Sequence, residues 1–336
     1  TAVRLPAVLT GTDGANDPDG PLPPERRPIP RIHGVPRPQQ RLDQRRSLGR
    51  RPCYPRLGEQ KARFFPGLAS GESMGAYAIT EPDHGSDALS IETTCRREGD
   101  EWILNGTKAW ITNGSRAGTI ITFATMDPAL RSKGINAFVV DPTMPGFSVG
   151  KKELKLGIRG SDTVQLVFDE MRVPAENLLG EEGQGFKIAM HTLDGGRIGI
   201  ATQAVGIAQA CLDVAVEFAE GHEMFGRRLA DNQLVSHKIA DMATRIEASR
   251  LLTYRAALLK DAGKPHSRQA SMAKLSSSEI ANDAARMALE IHGGAGIGRQ
   301  SPIERLFRDA KICEIYEGTS QIQRLVISRH VRPDRG

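Results

Sequence analysis

The hydrophobic period of this chain changes once, near Gly180, and no other feature restricts its possible folds as strongly. Between Met74 and Asn177 apolar residues recur at every second position or form short β-branched runs. Thr119 to Thr125 and Ile135 to Val140 are such runs, and Val164, Leu166 and Phe168 alternate like one face of a half-buried strand. The Asn105-Gly106 pair inside Trp102 to Lys108 predicts a hairpin, because both central residues of the favoured two-residue turn need φ > 0. Beyond Gly180 the spacing becomes that of a helix face: Ile239, Met242, Ala243 and Ile246 fall at 0, 3, 4 and 7. Similar stripes run from Ile198 to Glu220 and from Ser277 to Ile291, and Gly263-Lys264-Pro265 separates two of these helices. The expected fold is α+β and multidomain, with a middle antiparallel β domain over 74–178, a C-terminal four-helix bundle over 179–332, and a cleft between them.

Residues 1–56 have a different texture. They contain eleven of the twenty prolines and eleven arginines but no lysine, and no apolar run keeps either period. Such a segment cannot bury enough surface to order itself, so it reads as a disordered Arg/Pro-rich stretch. Two other readings stay open. One is a transit peptide, which a single serine and many prolines disfavour. The other is a shifted reading frame in a GC-rich gene, where Arg, Pro and Gly codons dominate. From Leu57 the chain becomes regular: Glu59 to Phe65 read as a helix that Pro66 ends.

The net charge of +5 is confined to that first segment, whose balance is +6, while the remainder carries 34 bases against 35 acids. The globular part therefore has no basic field to attract nucleic acid, which is not an expected partner. No apolar run approaches the roughly 20 residues that cross a bilayer, so no membrane span is expected. Cys53, Cys95, Cys211 and Cys313 lack CxxC spacing. Neither a metal cluster nor a disulfide framework is indicated, and a reducing compartment fits.

Several short motifs carry chemistry only in combination. No GxxxxGK[ST] occurs, and His292-Gly293-Gly294-Ala295-Gly296-Ile297-Gly298 lacks the third glycine of a dinucleotide fingerprint. Its glycines either cap a helix or let backbone amides approach a ligand. Thr80-Glu81-Pro82-Asp83-His84-Gly85-Ser86-Asp87 is either a polar turn or a loop that presents amides and Ser86 to a phosphate or ring carbonyl. Trp110-Ile111-Thr112 places a strand tryptophan that serves the core or a cofactor shelf. Asp194-Gly195-Gly196-Arg197 opens the helix expected from Ile198, as a solvated pair or as an arginine orienting a carboxylate towards a ligand. In Ile315-Tyr316-Glu317-Gly318-Thr319-Ser320 one carboxylate stands beside an aromatic after an amphipathic run, an apolar flank that raises the pKa of a base.

Taken together and in this order, these segments resemble the acyl-CoA dehydrogenase family from about Leu57 to Val331, most closely its short-chain and short-branched-chain members. The blocks are Tyr77 to Pro82, Gly85 to Asp87, Trp110 to Gly114, Asp194 to Arg197, Phe225-Gly226, His292 to Gly294 and Ile315 to Gln323. The resemblance implies FAD as cofactor, an acyl-CoA substrate, electron-transferring flavoprotein as acceptor, a homotetramer and a step of fatty acid β-oxidation. It also implies bacterial cytoplasm or a mitochondrial matrix as the location. By the same resemblance Tyr77, Ile79, Thr80, Gly85 and Ser86 line the flavin and the neighbouring acyl-CoA, and Trp110, Ile111 and Thr112 pack on the isoalloxazine. Thr319 and Gln321 contact FAD. Phe225, Gln233, His292, Gly293 and Gly294, with His222 and Glu290, reach the FAD of another subunit. Ser86, Asp194, Arg197, Tyr316 and Gly318 meet the acyl-CoA. Glu317 is the catalytic base, since the family's alternative base position is Gly196 here.

Three departures accompany the resemblance. His222 stands where the family carries an arginine, and Glu290 where it carries a glutamine, so charge at the FAD phosphates is less positive. Only residues 57–73 correspond to the family's N-terminal helical domain. Two rival readings follow, a catalytically impaired truncated member and a DNA-associated flavoprotein relative.

Overall fold

The computed structural model describes residues 57–332, so the readings of residues 1–56 lie outside the described residues. The first helix, α1 (Leu57–Ser70), runs through Pro66 instead of stopping there. Pro66 is exposed and its missing amide removes one helical bond. Gln60 Nε2 offsets that loss by donating to the carbonyls of Glu176 and Leu178 at 2.7 and 2.8 Å, which ties the helix to the body.

Seven strands form one sheet: β1 (Met74–Ala78), β2 (Thr94–Glu98), β3 (Glu101–Thr112), β4 (Ala117–Thr125), β5 (Ile135–Val140), β6 (Phe147–Lys152) and β7 (Thr163–Pro174). Their order is β1-β4-β2-β3-β7-β6, with β5 paired to β4. The sheet is mixed, which corrects the expectation of an antiparallel one. β1 runs parallel to β4, and β2 meets β4 in parallel at Thr94 and Thr125. The chain between β1 and β4 includes β2 and β3, long enough for the crossover that parallel pairing needs.

The Asn105-Gly106 hairpin is also corrected. β3 passes straight through the pair, and the two-residue turn lies earlier, at Gly99-Asp100, between Glu98 and Glu101. Gly106 instead marks a register shift against β7. Its φ is +148° and a Cβ there would sit 2.7 Å from the Thr93 Cα, so the glycine serves close strand approach rather than a turn. The Asn105 side chain satisfies the displaced backbone by accepting from the Glu170 amide at 2.8 Å.

The helical region contains α2 (Gly185–Gly221), α3 (Gln233–Asp261), α4 (Ser267–His292), the short α5 (Gly294–Ile297), α6 (Pro302–Ala310) and α7 (Ser320–Val331). A small hairpin of β8 (Glu223–Met224) and β9 (Arg227–Arg228) joins α2 to α3. α2, α3, α4 and α7 pack as a bundle of three long helices and one short one. By length and composition α2 could cross a membrane, contrary to the expectation that no stretch could. Asp194 and Arg197 interrupt its apolar run without ending the helix. In the fold its small-residue face, with Ala204, Ala208, Cys211, Ala215 and Ala219, is buried in the helical core shared with α4. A separate cluster of Phe123, Ile135, Ala137 and Ala189 joins the sheet to the start of α2, so the two layers pack directly on each other there.

Candidate active site

Glu317 lies in the turn between a 3-10 segment (Lys311–Glu314) and α7. Its backbone is left-handed, φ 53°, and Gly318 follows at φ 87°. A carboxylate-bearing residue pays strain in that region, which is held only where surrounding contacts over-determine it. Here they do: Gln323, fully buried on α7, donates from Nε2 to the Glu317 carbonyl at 3.1 Å and to the Gly318 carbonyl at 2.8 Å. The Glu317 amide forms no hydrogen bond among the described residues, so it is free to donate to a ligand.

The carboxyl group packs on α2. A Cβ added at Gly196 would lie 2.8 Å from the Glu317 Cδ, so the absent side chain is the space the carboxyl occupies. This corrects the helix start. α2 begins at Gly185 and continues through Gly195-Gly196, because a close approach to Glu317, not a boundary, calls for the glycine. Asp194 and Arg197 are therefore mid-helix and not a solvated terminal pair. Arg197 is buried and donates to Asp194 Oδ1 at 2.7 Å, and that oxygen also accepts from Ser267 Oγ at 2.9 Å. Arg197 Nε is left without a partner. Burial holds the Glu317 carboxyl above its ordinary range, while Arg197 and Lys274 pull it back down. Tyr316 Oη, beside it, donates to Gln203 Oε1 at 2.7 Å.

The sheet supplies the opposite wall. Tyr77 packs edge-on to Phe123 with centroids 5.3 Å apart and donates to the Ala189 carbonyl on α2 at 3.4 Å. Burial, with the charge of Glu317 as a second cause, pushes its hydroxyl pKa up. Ile79 and Thr80 leave β1 half-buried, Gly85 and Ser86 are exposed, and Ile111 is buried beneath an exposed Thr112. Trp110 is 56% exposed at φ 61°, beside the β3 register shift between Lys108 and Ile111. It does not serve the core, so a strained strand residue presents an indole to the open face.

A second cluster forms at the far ends of α2 and α4. The rings of His222 and Phe218 stack at 3.7 Å, and Phe218 stacks on His292 at 4.2 Å. Phe225 is 91% exposed at φ 54°, at the tip of the β8–β9 hairpin, and Gln233, Gly293 and Gly294 are exposed nearby along the chain. Glu290 does not bring an uncompensated charge here. Lys238 and Arg286 bond its two oxygens at 2.7 and 2.6 Å and hold its pKa below the usual carboxylate range. Among the described residues no hydrogen bond, ion pair or ring contact joins this cluster to Glu317. Thr319 caps α7 by accepting from the Ile322 amide, and with the exposed Gln321 it lines a cavity of about 280 Å³.

Three elements escaped the sequence reading. One is the fully buried Lys274 on α4, visible only as a lysine among the inward-facing Ala270, Ala273, Ser277 and Ala281. Another is Gln323. The third is an ion pair between Glu81 and Lys108, 2.7 Å apart and both buried, in which Glu81 also accepts from the Glu92 and Thr93 amides. That pair bolts the Thr80 to Asp87 loop to the strand that carries Trp110.

Comparison with known proteins adds the following. Residues 76–171 match the family description "Acyl-CoA dehydrogenase, middle domain" and residues 183–332 match "Acyl-CoA dehydrogenase, C-terminal domain". The chain is 54% identical over 273 residues to the human mitochondrial short-chain specific acyl-CoA dehydrogenase, covering 81% of this chain and 66% of that protein. It thus spans just under two thirds of that relative's length. An acyl-CoA dehydrogenase of Bacillus subtilis is 52% identical, with 81% of this chain and 72% of the relative covered. The structure of butyryl-CoA dehydrogenase from Megasphaera elsdenii superposes with a TM-score of 0.80 at 45% identity, covering 83% of this chain and 74% of that one.

Proposed function

Since this chain belongs to the acyl-CoA dehydrogenase family, we propose that it oxidises a short acyl-CoA thioester to the trans-2-enoyl-CoA, with Glu317 as the base. The observation that carries this reading is the placement of Glu317, a half-buried carboxyl whose proton affinity burial raises, seated in the hollow of Gly196. A desolvated carboxylate is what removal of a weakly acidic α-proton requires.

The residues present suit FAD. Trp110 and Thr112 offer an exposed aromatic and hydroxyl on one strand, Ser86 stands exposed in the neighbouring loop, and the left-handed Trp110 is the kind of strain that persists at binding sites. Trp110 and Thr112 would flank the ring system, with Thr80, Gly85 and Ser86 along its edge and Thr319 and Gln321 towards its chain. Bound FAD supplies the acceptor for the β-hydrogen, which leaves the substrate as a hydride. Glu317 takes the α-proton, so the two hydrogens leave from adjacent carbons and the double bond forms between them. The free Glu317 amide would donate to the thioester oxygen and stabilise the charge that builds there. Arg197 would steady Glu317 rather than the CoA, because it is buried and already bound to Asp194.

The second cluster, from His222 to Gly294, would serve the FAD of another subunit, which is the argument for a homo-oligomer. Butyryl-like substrates, electron-transferring flavoprotein as acceptor and a cytoplasmic or mitochondrial setting extend the same reading from its relatives. Anaerobic addition of butyryl-CoA to the yellow protein is the test. Reduction should bleach the flavin, at a rate rising with pH through a value above the ordinary carboxylate range. Glu317→Gln should keep FAD and slow bleaching by roughly 10²–10⁴-fold, the usual contribution of a general base. Unchanged bleaching in that variant removes the assignment.

A further inference from the structure

Lys274 is fully buried on α4, and its Nζ donates to the Gly318 carbonyl at 2.8 Å. Among the described residues no carboxylate lies within ion-pair distance of it, unlike Lys108, the other fully buried lysine, which meets Glu81 directly. An ammonium taken from water without a counter-ion in contact is costly, so its retention calls for a role. The carbonyl it binds belongs to the left-handed turn that presents Glu317, and Gln323 binds the same carbonyl and the one before it. Both carbonyls of the turn are thereby held by side chains of the bundle, and the amide of Glu317 is left without a hydrogen bond among the described residues.

We propose that Lys274 is a positioning residue for the base: its ammonium fixes the Glu317–Gly318 turn through the Gly318 carbonyl and keeps a positive charge on the bundle side of the Glu317 carboxyl. This rests on the reading of Glu317 as the base. The titratable groups whose charges act on Lys274 are Cys313 and Glu314 from the 3-10 segment, Glu317 itself, and Arg197 from α2. Burial pushes the ammonium down to about 8, so it stays charged through neutral pH. A charge so placed favours the ionised form of Glu317 against the desolvation that opposes it. The base therefore remains able to accept a proton while shielded from water.

Two variants separate the donor from the charge. Lys274→Gln keeps a donor for the Gly318 carbonyl and loses the charge, whereas Lys274→Met loses both at similar volume. Full-length protein carrying FAD is mixed anaerobically with butyryl-CoA across pH, with FAD content and thermal midpoint recorded alongside. Both variants should move the acid limb of flavin reduction upward by roughly one pH unit. At its own optimum the Gln variant should stay within about tenfold of the parent, while the Met variant should fall by about 100-fold, as a displaced catalytic group does. An acid limb that stays in place, or equal rates in the two variants, overturns the proposal. Loss of FAD or of folding in both would assign Lys274 to the scaffold alone and overturn it equally. A parent protein that never bleaches with butyryl-CoA defeats the reading of Glu317, and this inference with it, whereas a bleaching parent with unaffected variants defeats this inference alone.

Discussion

The two fully buried lysines show how the sheet and the helical layer treat charge differently. In the sheet, Lys108 meets Glu81 at 2.7 Å, and two backbone amides complete the carboxylate's bonds. Burial pushes Glu81 up, but Lys108 and those donors hold it below its usual value, while burial brings Lys108 down to about 8. The charges there cancel where they stand. In the helical layer, among the described residues, Lys274 hydrogen-bonds a carbonyl and no carboxylate, Arg197 keeps an unpartnered Nε, and Glu317 is held above its usual value. A locally neutral pair can only brace; an acid and two cations held apart can exchange a proton with something placed between the layers. Fold and chemistry are thus separated by how completely each buried charge is answered.

The largest expected effect breaks the balanced side. Lys108→Met should destabilise the protein by about 3–5 kcal/mol, because it strands the Glu81 carboxylate in the interior. Chemical denaturation of the apo and FAD-loaded forms checks this. Adding Glu81→Gln should recover part of the loss, since the amide oxygen still accepts from the Glu92 and Thr93 amides without a charge. If Lys108→Met alone costs under 1 kcal/mol, the brace is not real. The pair's stability also has a direction with pH: Glu81, with its folded value depressed, contributes above the ordinary carboxylate pKa and loses that contribution as pH falls through its lowered one.

A smaller effect probes the open side. Gly196→Ala places a methyl group where the Glu317 carboxyl lies, so the carboxyl must shift. Flavin reduction should slow by about 10²-fold, the scale of a misplacement near 1 Å, which is about 2.7 kcal/mol at the barrier. Ala has the higher helix propensity, so the thermal midpoint should not fall in parallel. A rate loss matched by an equal loss of stability would mean that α2 itself had moved.

Period and motif made much of this molecule legible. The change near Gly180 located the sheet before the helices, and β5 at Ile135–Val140 is the run expected from its β-branched residues. Glu317 was legible as a carboxylate with an apolar flank. What stayed hidden depended on contacts far apart in the chain. Asn105-Gly106 carries hairpin chemistry, yet the Thr93 backbone packs on it and makes it a close approach within a strand. Gly195-Gly196 looks like a helix boundary until Glu317, more than a hundred residues later, occupies the hollow. The parallel β1–β4 pairing has no local signature at all. Lys274 was concealed by the assumption that a lysine on a helix faces water, which holds for most lysines and fails where a carbonyl awaits the ammonium.

The same contrast can be sharpened at its smallest scale, in the backbone. Trp110 and Glu317 stand on opposite layers, both left-handed, and neither is a glycine. For Glu317 the turn is clamped by Gln323 and Lys274, so the strain is held by visible contacts. For Trp110 the indole is 56% exposed, and it makes no hydrogen bond or ring contact among the described residues. If the strain is kept for a flat ligand, Trp110→Gly should relieve it at little loss of burial. The apo protein should then gain up to about 1 kcal/mol, the gain being limited by glycine's extra unfolded-state freedom. FAD should bind more weakly, because an aromatic contact worth about 0.5–1.5 kcal/mol beyond its area is gone. Denaturation midpoints with and without added FAD read both signs in one experiment: the apo curve moves up and the increment from FAD shrinks. A fall in the apo midpoint with an unchanged FAD increment would show that the indole serves the sheet, and the two left-handed residues would then have no common purpose.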